Sequence, residues 1–384
     1  MDALTTPLNW QKVRLGDICE IVKGQQINKI SLNNTDKYPV INGGIDFLGY
    51  TNKFNVSKNT IAISEGGTCG YVRFMKSDFW SGGHNYSLQK ISNKVNNLCL
   101  YHILKSYEKD IMKLGVGSGL KNIQLKALKD FEIPLPPLNE QIAIANILSD
   151  VDRYLYSLDA LILKKESVKK ALSFELLSQR KRLKGFNQAW QKVRLGTYKY
   201  RRGSFPQPYG NPQWYSDNGM PFVQVYDVGE NFKLTQKTKQ KISKIAQPMS
   251  VFVPKNSVII TLQGTIGRVA LTQYDCYCDR TILIFDNNTL NDVNKYFFVL
   301  SLFTKFEEEK RKADGSIIKT ITKQTLKDFE ILLPSLNEQI AIANILSALD
   351  HEITSLKNKK RQFENIKKAL NHDLMSAKIR VLKK

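Results

Sequence analysis

An internal repeat constrains the fold of this chain more than any other feature of its sequence. The segment Trp10–Gly16 recurs letter for letter at Trp190–Gly196. Further along, Leu128–Asp152 returns as Leu326–Asp350, with 21 of the 25 positions identical. The first pair is offset by 180 residues and the second by 198, so the second copy holds 18 more residues between its repeated blocks. The repeat predicts two homologous domains on a common scaffold.

Between the repeated blocks the two copies differ. Asn42–Gly44 and Phe79–His84 have no sequence counterpart in the second copy, which instead carries the proline-rich stretch Phe205–Trp214. A faint common frame survives, because Gly67-Thr-Cys-Gly70 corresponds to Gly264-Thr-Ile-Gly267. Binding sites commonly lie on variable loops over a fixed frame. The differing segments are therefore predicted to hold the binding surfaces.

Each copy begins with short β-runs and continues with helices, a pattern that predicts α+β domains. Strands are predicted at residues 60–64, 71–75, 250–253 and 258–262, and helices at residues 98–113 and 291–312. These elements precede a second kind of pattern that opens after Pro136-Pro137 and again after Pro334.

There the apolar spacing becomes that of a long helix. Apolar residues recur at intervals of four and three from Ile144 to Ile162, and again from Ile342 to Leu356. The first helix is predicted from about residue 139 to about residue 181, a length of about 65 Å. An exposed apolar stripe of that length needs a partner. The two helices are therefore predicted to pair with each other, antiparallel, as a coiled coil with one β-rich head at each end.

The predicted fold class is thus α+β, with two tandem β-rich domains separated by two long antiparallel helices in a pseudo-twofold repeat. The predicted boundaries are residues 1–135 and 186–333 for the two β-rich domains, and residues 136–185 and 334–384 for the spacer helices.

The charge of the chain indicates its partner class. Lys and Arg total 57 against 35 Asp and Glu, a formal net charge of +22. Nucleic acid is the first partner that such an excess suggests, and a membrane surface is the second. No apolar run is long enough to span a bilayer, and the N-terminal sequence lacks the features of a signal peptide. The five scattered cysteines favour reduced thiols. We therefore expect a cytoplasmic protein without a membrane partner.

Catalytic motifs are not found. The sequence contains neither a phosphate-binding Gly-x4-Gly-Lys-Ser/Thr loop nor a Gly-x-Gly-x-x-Gly that follows a strand. Asn211-Pro-Gln-Trp214 only superficially matches the Asn-Pro-Pro-aromatic tetrad of amino-methyltransferases, since its third residue differs. Glu307-Glu-Glu-Lys310 has no upstream acidic partner, and the four histidines are dispersed. The chain is therefore expected to catalyse nothing by itself and to bind no metal.

Basic and amide side chains on predicted loops are the candidates for DNA contact. Lys and Arg would neutralise phosphates, whereas Arg, Asn and Gln would read base edges. The candidates are Lys23, Gln25, Gln26, Asn42, Arg201, Arg202, Gln224, Lys239, Gln263, Arg268, Arg280 and Lys319. The predicted helices are basic as well, which is typical either of a solvated coiled-coil face or of a surface over which DNA passes.

These residues together resemble the specificity subunits of type I restriction–modification systems. The hallmark of that family is a Pro-Leu-x-Glu-Gln block that opens a long helix. It stands here at Pro137–Gln141 and, with serine in place of proline, at Ser335–Gln339. The resemblance implies that each head is a target recognition domain that reads one half of a bipartite, asymmetric site in double-stranded DNA. It also implies that the helices set the gap between the half-sites and dock two methyltransferase subunits.

The resemblance further implies restriction and translocase subunits in the full complex. S-adenosylmethionine, ATP and Mg are then expected on the partner subunits and no cofactor on this chain. The repeated blocks would offer equivalent docking surfaces to two copies of one partner. The candidates for docking are Leu138, Glu140, Gln141, Ile144, Leu336, Glu338, Gln339 and Ile342.

Two other classes stay open from the sequence. One is a self-contained methyltransferase or nuclease with an unfamiliar site. The other is an orphan or decoy protein that binds DNA or acts as a scaffold without reading sequence.

Overall fold

The computed structural model divides the chain into two compact units. The first comprises Met1–Leu161 and Leu356–Lys384, and the second Ile162–Ser355. The structure describes residues 9–229, 231–264, 266–312, 323–376 and 378–381. The candidate Lys319 lies outside the described residues.

The elements of the first repeat run from a short N-terminal strand to a 40-residue helix. They are β1 (Gln11–Arg14), α1 (Leu15–Ile18), β2 (Glu20–Lys23), β3 (Tyr38–Ile41), β4 (Gly49–Thr51), β5 (Thr60–Ser64), β6 (Val72–Met75), β7 (Trp80–Ser81), β8 (Asn85–Gln89), α2 (Asn97–Ser106), α3 (Glu108–Lys113), β9 (Gly115–Val116), β10 (Asn122–Ile123), α4 (Leu125–Lys129), β11 (Glu132–Leu135) and α5 (Leu138–Leu177).

The second repeat follows the same plan and also ends in a 40-residue helix. Its elements are β12 (Gln191–Arg194), β13 (Tyr200–Arg202), β14 (Tyr215–Val223), β15 (Gln240–Ile242), β16 (Val251–Val253), β17 (Val258–Thr261), β18 (Val269–Leu271), β19 (Cys276–Cys278), β20 (Ile282–Phe285), α6 (Lys295–Lys312), α7 (Lys323–Asp328), β21 (Glu330–Leu333) and α8 (Leu336–Met375). Short 3₁₀ segments lie at Lys29–Ser31, Leu195–Thr197, Pro212–Trp214, Val225–Asp227, Gln247–Met249 and Asn287–Thr289.

The strands predicted from the sequence agree with those observed. The run at residues 60–64 is β5 itself, and the other three differ from β6, β16 and β17 by one residue at one end. The helix predicted at residues 98–113 is divided at Tyr107 into α2 and α3. The helix predicted from residue 291 begins later, at Lys295, because the Asn294 side chain accepts a hydrogen bond from the Phe297 amide at 3.0 Å and so caps its start.

The two heads share one sheet topology. In the first head (residues 9–137), one sheet has the order β2-β8-β5-β6 and the other the order β4-β3-β7. The second head (residues 186–335) repeats this with β13-β20-β17-β18 and β15-β14-β19-β16. The pair β3–β7 and the pair β14–β19 are both parallel. The sequences between the repeated blocks therefore diverged on a common framework.

The repeated blocks are neighbours in each unit. β1 pairs antiparallel with β11, and β12 pairs with β21 in the same register, Gln11 facing Leu135 and Gln191 facing Leu333. This pairing brings the start of each head to the start of the long helix that follows it. A buried apolar core then joins the four-stranded sheet, the shorter helices and the long helices within each unit.

Each long helix contributes one part to each unit, and within each unit the two helices run antiparallel, as predicted. In the first unit Lys367 pairs with Asp152 at 2.5 Å and Lys360 with Asp159 at 2.7 Å. From one ion pair to the next, the residue number rises on α5 and falls on α8, so the two helices are antiparallel. No helix among the described residues is long and apolar enough to cross a membrane.

The second unit repeats this pairing with its own segments of the two helices. Lys169 pairs with Asp350 at 2.5 Å and Lys165 with Glu352 at 2.8 Å. Lys169 and Asp350 are each 198 residues from Lys367 and Asp152, the offset of the long repeat. The same ion pair is therefore used twice, and it opposes sliding of one helix along the other.

A buried carboxylate at the start of α8 joins three parts of the second unit. Glu338 is 1% exposed. Arg182, five residues beyond the end of α5, donates from Nε to Glu338 Oε1 at 2.9 Å and from Nη2 to Oε2 at 2.8 Å. The Trp190 indole donates to Oε2 at 3.2 Å. We call this arrangement the Trp–Glu–Arg clamp.

The first unit contains the equivalent clamp in a looser form. Glu140, 4% exposed, accepts a hydrogen bond from the Trp10 indole at 3.3 Å. Arg380, five residues beyond the end of α8, places Nε 3.4 Å from Glu140 Oε1. The arginine side chain here is 40% exposed, compared with 28% for Arg182. The clamp thus closes the first unit with a residue from the far end of the chain.

The glutamine that follows each clamp glutamate is also buried. Gln141 accepts a hydrogen bond from the Asn96 amide at 2.7 Å and donates to the carbonyl of Pro136 at 2.7 Å. Gln339 makes the same two contacts, with Asn294 at 2.9 Å and Pro334 at 3.0 Å. The Glu-Gln pair therefore fixes each long helix to its own head.

We expect Glu338→Ala to lower the free energy of unfolding by about 3 kcal/mol, because it leaves Arg182 and the Trp190 indole without their partner in a buried site. The matched substitution Glu140→Ala should cost about 1 kcal/mol, since Arg380 is more exposed and less closely bound. Urea unfolding followed by circular dichroism measures both. Equal losses from the two substitutions would contradict the difference assigned to the two clamps.

A second prediction concerns pH. Burial, and then the nearby charge of Lys367, lower the pKa of His102 to about 4, while Asp152 opposes this shift. The unfolded chain takes up the proton near pH 6.5 and the folded chain only near pH 4, so stability falls as the pH decreases through that window. The loss from this group is on the order of 3 kcal/mol. Leu300 occupies the equivalent position of the second unit, so His102→Leu is the matched variant. Its thermal midpoint should decline less than that of the wild type between pH 7 and pH 4.5, and an equal decline would exclude His102 as the cause.

Candidate nucleic-acid interface

In the first head, four turns meet at one edge of the sheets. They lie at residues 23–26, 42–44, 65–70 and 82–84, and we call them the four-turn edge. The Gly24 amide donates to the Asn85 carbonyl at 2.8 Å, and the Glu65 amide donates to the His84 carbonyl at 3.0 Å. The Gly82 amide donates to the Ile41 carbonyl at 2.8 Å. Backbone hydrogen bonds therefore connect all four turns.

The second head forms the same edge from residues 201–203, 224–227, 262–264 and 279–281. Its equivalent hydrogen bonds run from Gly203 to Ile282 at 2.9 Å, from Leu262 to Thr281 at 2.8 Å and from Asp279 to Val223 at 3.0 Å. A Cβ at Gly24 would lie 2.1 Å from the Gly82 oxygen, and one at Gly203 would lie 2.2 Å from the Cys278 oxygen. Glycine is required at this position in both heads because two backbones meet there.

This frame supplies counterparts that the sequence comparison does not find. Since Ile41 and Val223 occupy the same place in the frame, Asn42 corresponds to Gln224. By the same reasoning the Gly82–Gly83 pair corresponds to Asp279–Arg280. Asn42 and residues 82–84 therefore have structural counterparts although their segments have no sequence counterpart, because the shared frame consists of backbone hydrogen bonds.

The frame brings the DNA-contact candidates of each head together. Lys23, Gln25, Gln26 and Asn42 lie on the edge of the first head, and Arg201, Arg202, Gln224, Gln263 and Arg280 lie on that of the second. Arg268 lies beyond the third turn and directly precedes β18. Lys239 approaches the second turn, where its amide donates to Asp227 Oδ1 at 3.0 Å and its amine lies 5.1 Å from the centre of the Tyr226 ring.

In the first head, contacts within the edge restrain the candidate side chains. Lys23 pairs with Glu65 at 2.6 Å, and Glu65 also accepts a hydrogen bond from Tyr86 at 3.2 Å. The Asn42 side chain accepts a hydrogen bond from the His84 amide at 3.0 Å. Gln26 packs against the backbone of Gly83. Burial, and then the charge of Glu65, raise the pKa of Tyr86 to about 12, so the phenol remains a hydrogen-bond donor.

In the second head the edge is richer in arginine. Arg201 donates to the Phe252 carbonyl at 3.2 Å, and Arg268 donates to the Val228 carbonyl at 3.1 Å. Arg202 and Arg280 are exposed. The two heads therefore present different side chains on one frame. The first has amides and a lysine that is ion-paired with Glu65, and the second has several guanidinium groups.

A buried network underlies Arg280. Asp279 is 4% exposed and accepts hydrogen bonds from the Thr281 amide at 2.8 Å and from the Tyr209 hydroxyl at 2.5 Å. The Arg280 guanidinium lies over the Tyr209 ring, 5.3 Å from its centre. Burial and the hydrogen bond to Asp279 hold the pKa of Tyr209 above its usual range, so the phenol stays protonated.

The sequence does not predict the roles of Tyr209, Asp279 and Glu65. Tyr209 and Asp279 are 70 residues apart, and no spacing rule connects them. The prolines near Tyr209 indicate a turn, but not which residue the turn carries to the edge.

The docking candidates separate into two groups. Leu138 and Leu336 are each 41% exposed. The other six, which are Glu140, Gln141, Ile144, Glu338, Gln339 and Ile342, are buried by their own unit. The two glutamates belong to the clamps and the two glutamines fix the heads, so these six side chains present almost no surface to another protein.

Each of the two leucines is followed, four residues later, by another exposed apolar residue. Ile142 and Ile340 are 44% and 39% exposed and lie one turn along the same helix face as Leu138 and Leu336. We call the pairs Leu138–Ile142 and Leu336–Ile340 the helix-start faces. Within the described residues, no group of three or more His, Cys, Asp or Glu side chains is arranged to hold a metal ion.

Comparison with known proteins agrees with this architecture. A family model for the type I restriction modification DNA specificity domain matches residues 7–166 and again residues 207–365. The type I restriction enzyme MjaX specificity subunit of Methanocaldococcus jannaschii is a curated relative. It is 29% identical over 380 residues, covering 94% of this chain and 84% of the relative. A type I specificity subunit of Mycoplasma pneumoniae is 40% identical over 161 residues, which is 41% of this chain and 43% of the relative. That match, like one to Mycoplasma genitalium at 42%, spans less than half of the relative's length.

Solved structures show the same fold. The crystal structure of a type I restriction–modification S subunit from M. genitalium matches with a TM-score of 0.68 and 22% identity, over 97% of each chain. A structure from a study of complex assembly in the type I system matches with a TM-score of 0.55 and 15% identity, over 97% of this chain and 98% of the other. The specificity model matches twice, once in each repeat, and covers most of the sequence. The chain therefore belongs to the family of type I restriction–modification DNA specificity subunits, which are non-catalytic.

Proposed function

We propose that this chain reads sequence for a type I restriction–modification complex, each head recognising one half of a bipartite, asymmetric site in double-stranded DNA. The observation that carries the proposal is the four-turn edge, one backbone frame that is built twice and presents different polar side chains. Phosphate contacts fix the register of a protein on DNA, whereas side chains at base edges supply specificity. The net charge of +22 would supply the sequence-independent part of the affinity.

In this proposal α5 and α8 set the gap between the two half-sites. Each helix is continuous over 40 residues, about 60 Å at 1.5 Å per residue. The ion pair that both units share would resist a change of register between the helices, and a fixed register corresponds to a fixed gap.

The helix-start faces are the proposed docking sites for two methyltransferase subunits. They carry the same residues at similar exposure in both repeats, which suits two copies of one partner. The leucine and isoleucine of each face would contribute to an apolar centre of the interface. Restriction and translocase subunits would join this assembly.

The remaining parts of the proposal concern cofactors and location. S-adenosylmethionine, ATP and Mg would be bound by the partner subunits, and this chain would contribute recognition and assembly. A complex that acts on DNA would be located in the cytoplasm.

The first experiment co-expresses the chain with the methyltransferase subunit of its own system and maps methylated adenines across the host genome by single-molecule sequencing. We expect one bipartite motif with two short defined halves around an unspecified gap. Replacement of residues 20–120 by the corresponding segment of another head should change one half and leave the other half and the gap unchanged. A stable complex that methylates nothing would favour the decoy alternative, and methyl transfer by the purified chain alone would favour the enzyme alternative.

The docking sites are tested by charge insertion. Ile142→Asp and Ile340→Asp should each leave one methyltransferase subunit bound, and the double variant should bind none, with each site weakened at least about 30-fold, as for a central apolar contact. Tyr156→Asp is the matched control, because Tyr156 is exposed on α5 but has Thr354 at the equivalent place on α8. Native mass spectrometry gives the stoichiometry. Two bound subunits in the double variant would exclude these faces.

A further inference from the structure

We propose that Arg280 reads a guanine in the major groove, so that the half-site of the second head contains one G·C pair whose identity depends on this residue. The inference rests on the proposed function, since it names the base chemistry of the same edge. It assigns to one side chain a role that the family relationship does not supply.

The Arg280 guanidinium is available to a ligand. Arg280 is exposed on the fourth turn of the edge. In the part of the chain that the structure describes, its guanidinium makes no hydrogen bond or ion pair, in contrast to Arg201 and Arg268, which donate to carbonyls. The donors of Arg280 are therefore free to bind a ligand.

Neighbouring residues also restrain the orientation of the Arg280 side chain. Its guanidinium stacks on Tyr209, and the Tyr209 hydroxyl donates to Asp279, the residue that precedes Arg280. Asp279 is itself fixed by two hydrogen bonds from Thr281, from its amide at 2.8 Å and from its hydroxyl at 2.5 Å. A stacked guanidinium loses less conformational freedom on binding than a free one. The network thus prepares one arginine of the edge for a directional contact.

The donor pattern of a guanidinium matches the major-groove edge of guanine. A guanidinium presents two parallel N–H donors, and guanine alone among the bases presents two acceptors, N7 and O6, side by side in the major groove. A carboxamide instead suits adenine, which presents one donor and one acceptor. Gln26 packs on Gly83, the residue that corresponds to Arg280, so the same corner carries an amide in the first head.

The test uses the complete complex with its methyltransferase subunits. Methylated motifs are mapped for the wild type, for Arg280→Gln and for Arg202→Gln, a matched control on the same edge whose guanidinium stacks on no ring among the residues that the structure describes. We expect Arg280→Gln to relax one G·C position of one half-site and to leave the other half unchanged. Arg202→Gln should lower methylation at all sites alike, because a phosphate contact carries no base identity.

Binding to synthetic duplexes then tests the contacting atom. Replacement of that guanine by 7-deazaguanine removes the N7 acceptor and should weaken wild-type binding about 10-fold or more. The same replacement should have little further effect on Arg280→Gln, which is the signature of direct contact in a double-mutant cycle. Tyr209→Leu, which removes the stacking ring, should relax the same position as Arg280→Gln, and thermal melting verifies that each variant is folded.

Four outcomes would contradict the proposal or the function on which it rests. If Arg280→Gln retains full stringency at every position, or relaxes an A·T position, the inference is wrong while the bipartite motif of the wild type still stands. A relaxed G·C position that is insensitive to 7-deazaguanine also overturns it. The absence of any bipartite motif with the wild type would instead be a failure of the proposed function.

Discussion

The structure of each unit depends on a buried carboxylate that is bound by an arginine and a tryptophan from distant parts of the sequence. An ionised carboxylate is very costly to bury without compensation, so such a group persists only where charged and neutral donors surround it. At Glu338 the arginine is bidentate and the indole supplies a third donor. This one side chain thereby joins the beginning of a head, the end of one long helix and the start of the other.

That arrangement gives a physical reason for the near-identity of the repeated blocks. Glu140 and Gln141 and their counterparts lie where strand, head and helix meet, and each of their polar atoms has a specified partner. A change at one of them would leave buried donors unpaired in its own unit. The residues that look most like a docking motif are therefore constrained first by the fold, and the exposed Leu138 and Ile142 between and beside them remain available to a partner.

The sequence predicts the long helices well because their signal is local. Apolar residues at intervals of three and four follow from helix geometry alone, and they gave the two helices and their antiparallel pairing. Burial of Glu140 could not be predicted in this way. It depends on Arg380, which lies 240 residues away, and on a tryptophan at the other end of the repeat. Composition predicts the candidate loops but not their convergence, since the contacts that the two edges share are backbone hydrogen bonds, which leave no trace in side-chain identity.

Because the shared backbone bonds do not depend on side-chain identity, one framework can carry two different binding surfaces. The hydrogen bonds that the two edges share join backbone amides to backbone carbonyls, so side chains on the turns can change without loss of these bonds. Only positions such as Gly24 and Gly203, where two backbones meet, are fixed by sterics. Arg280 in the second head and Gln26 in the first lie at equivalent places in the frame. Their side chains offer different patterns of hydrogen-bond donors and acceptors. Recognition of two unlike half-sites requires no difference in fold, because the fold fixes the place of each contact and the side chain fixes its chemistry.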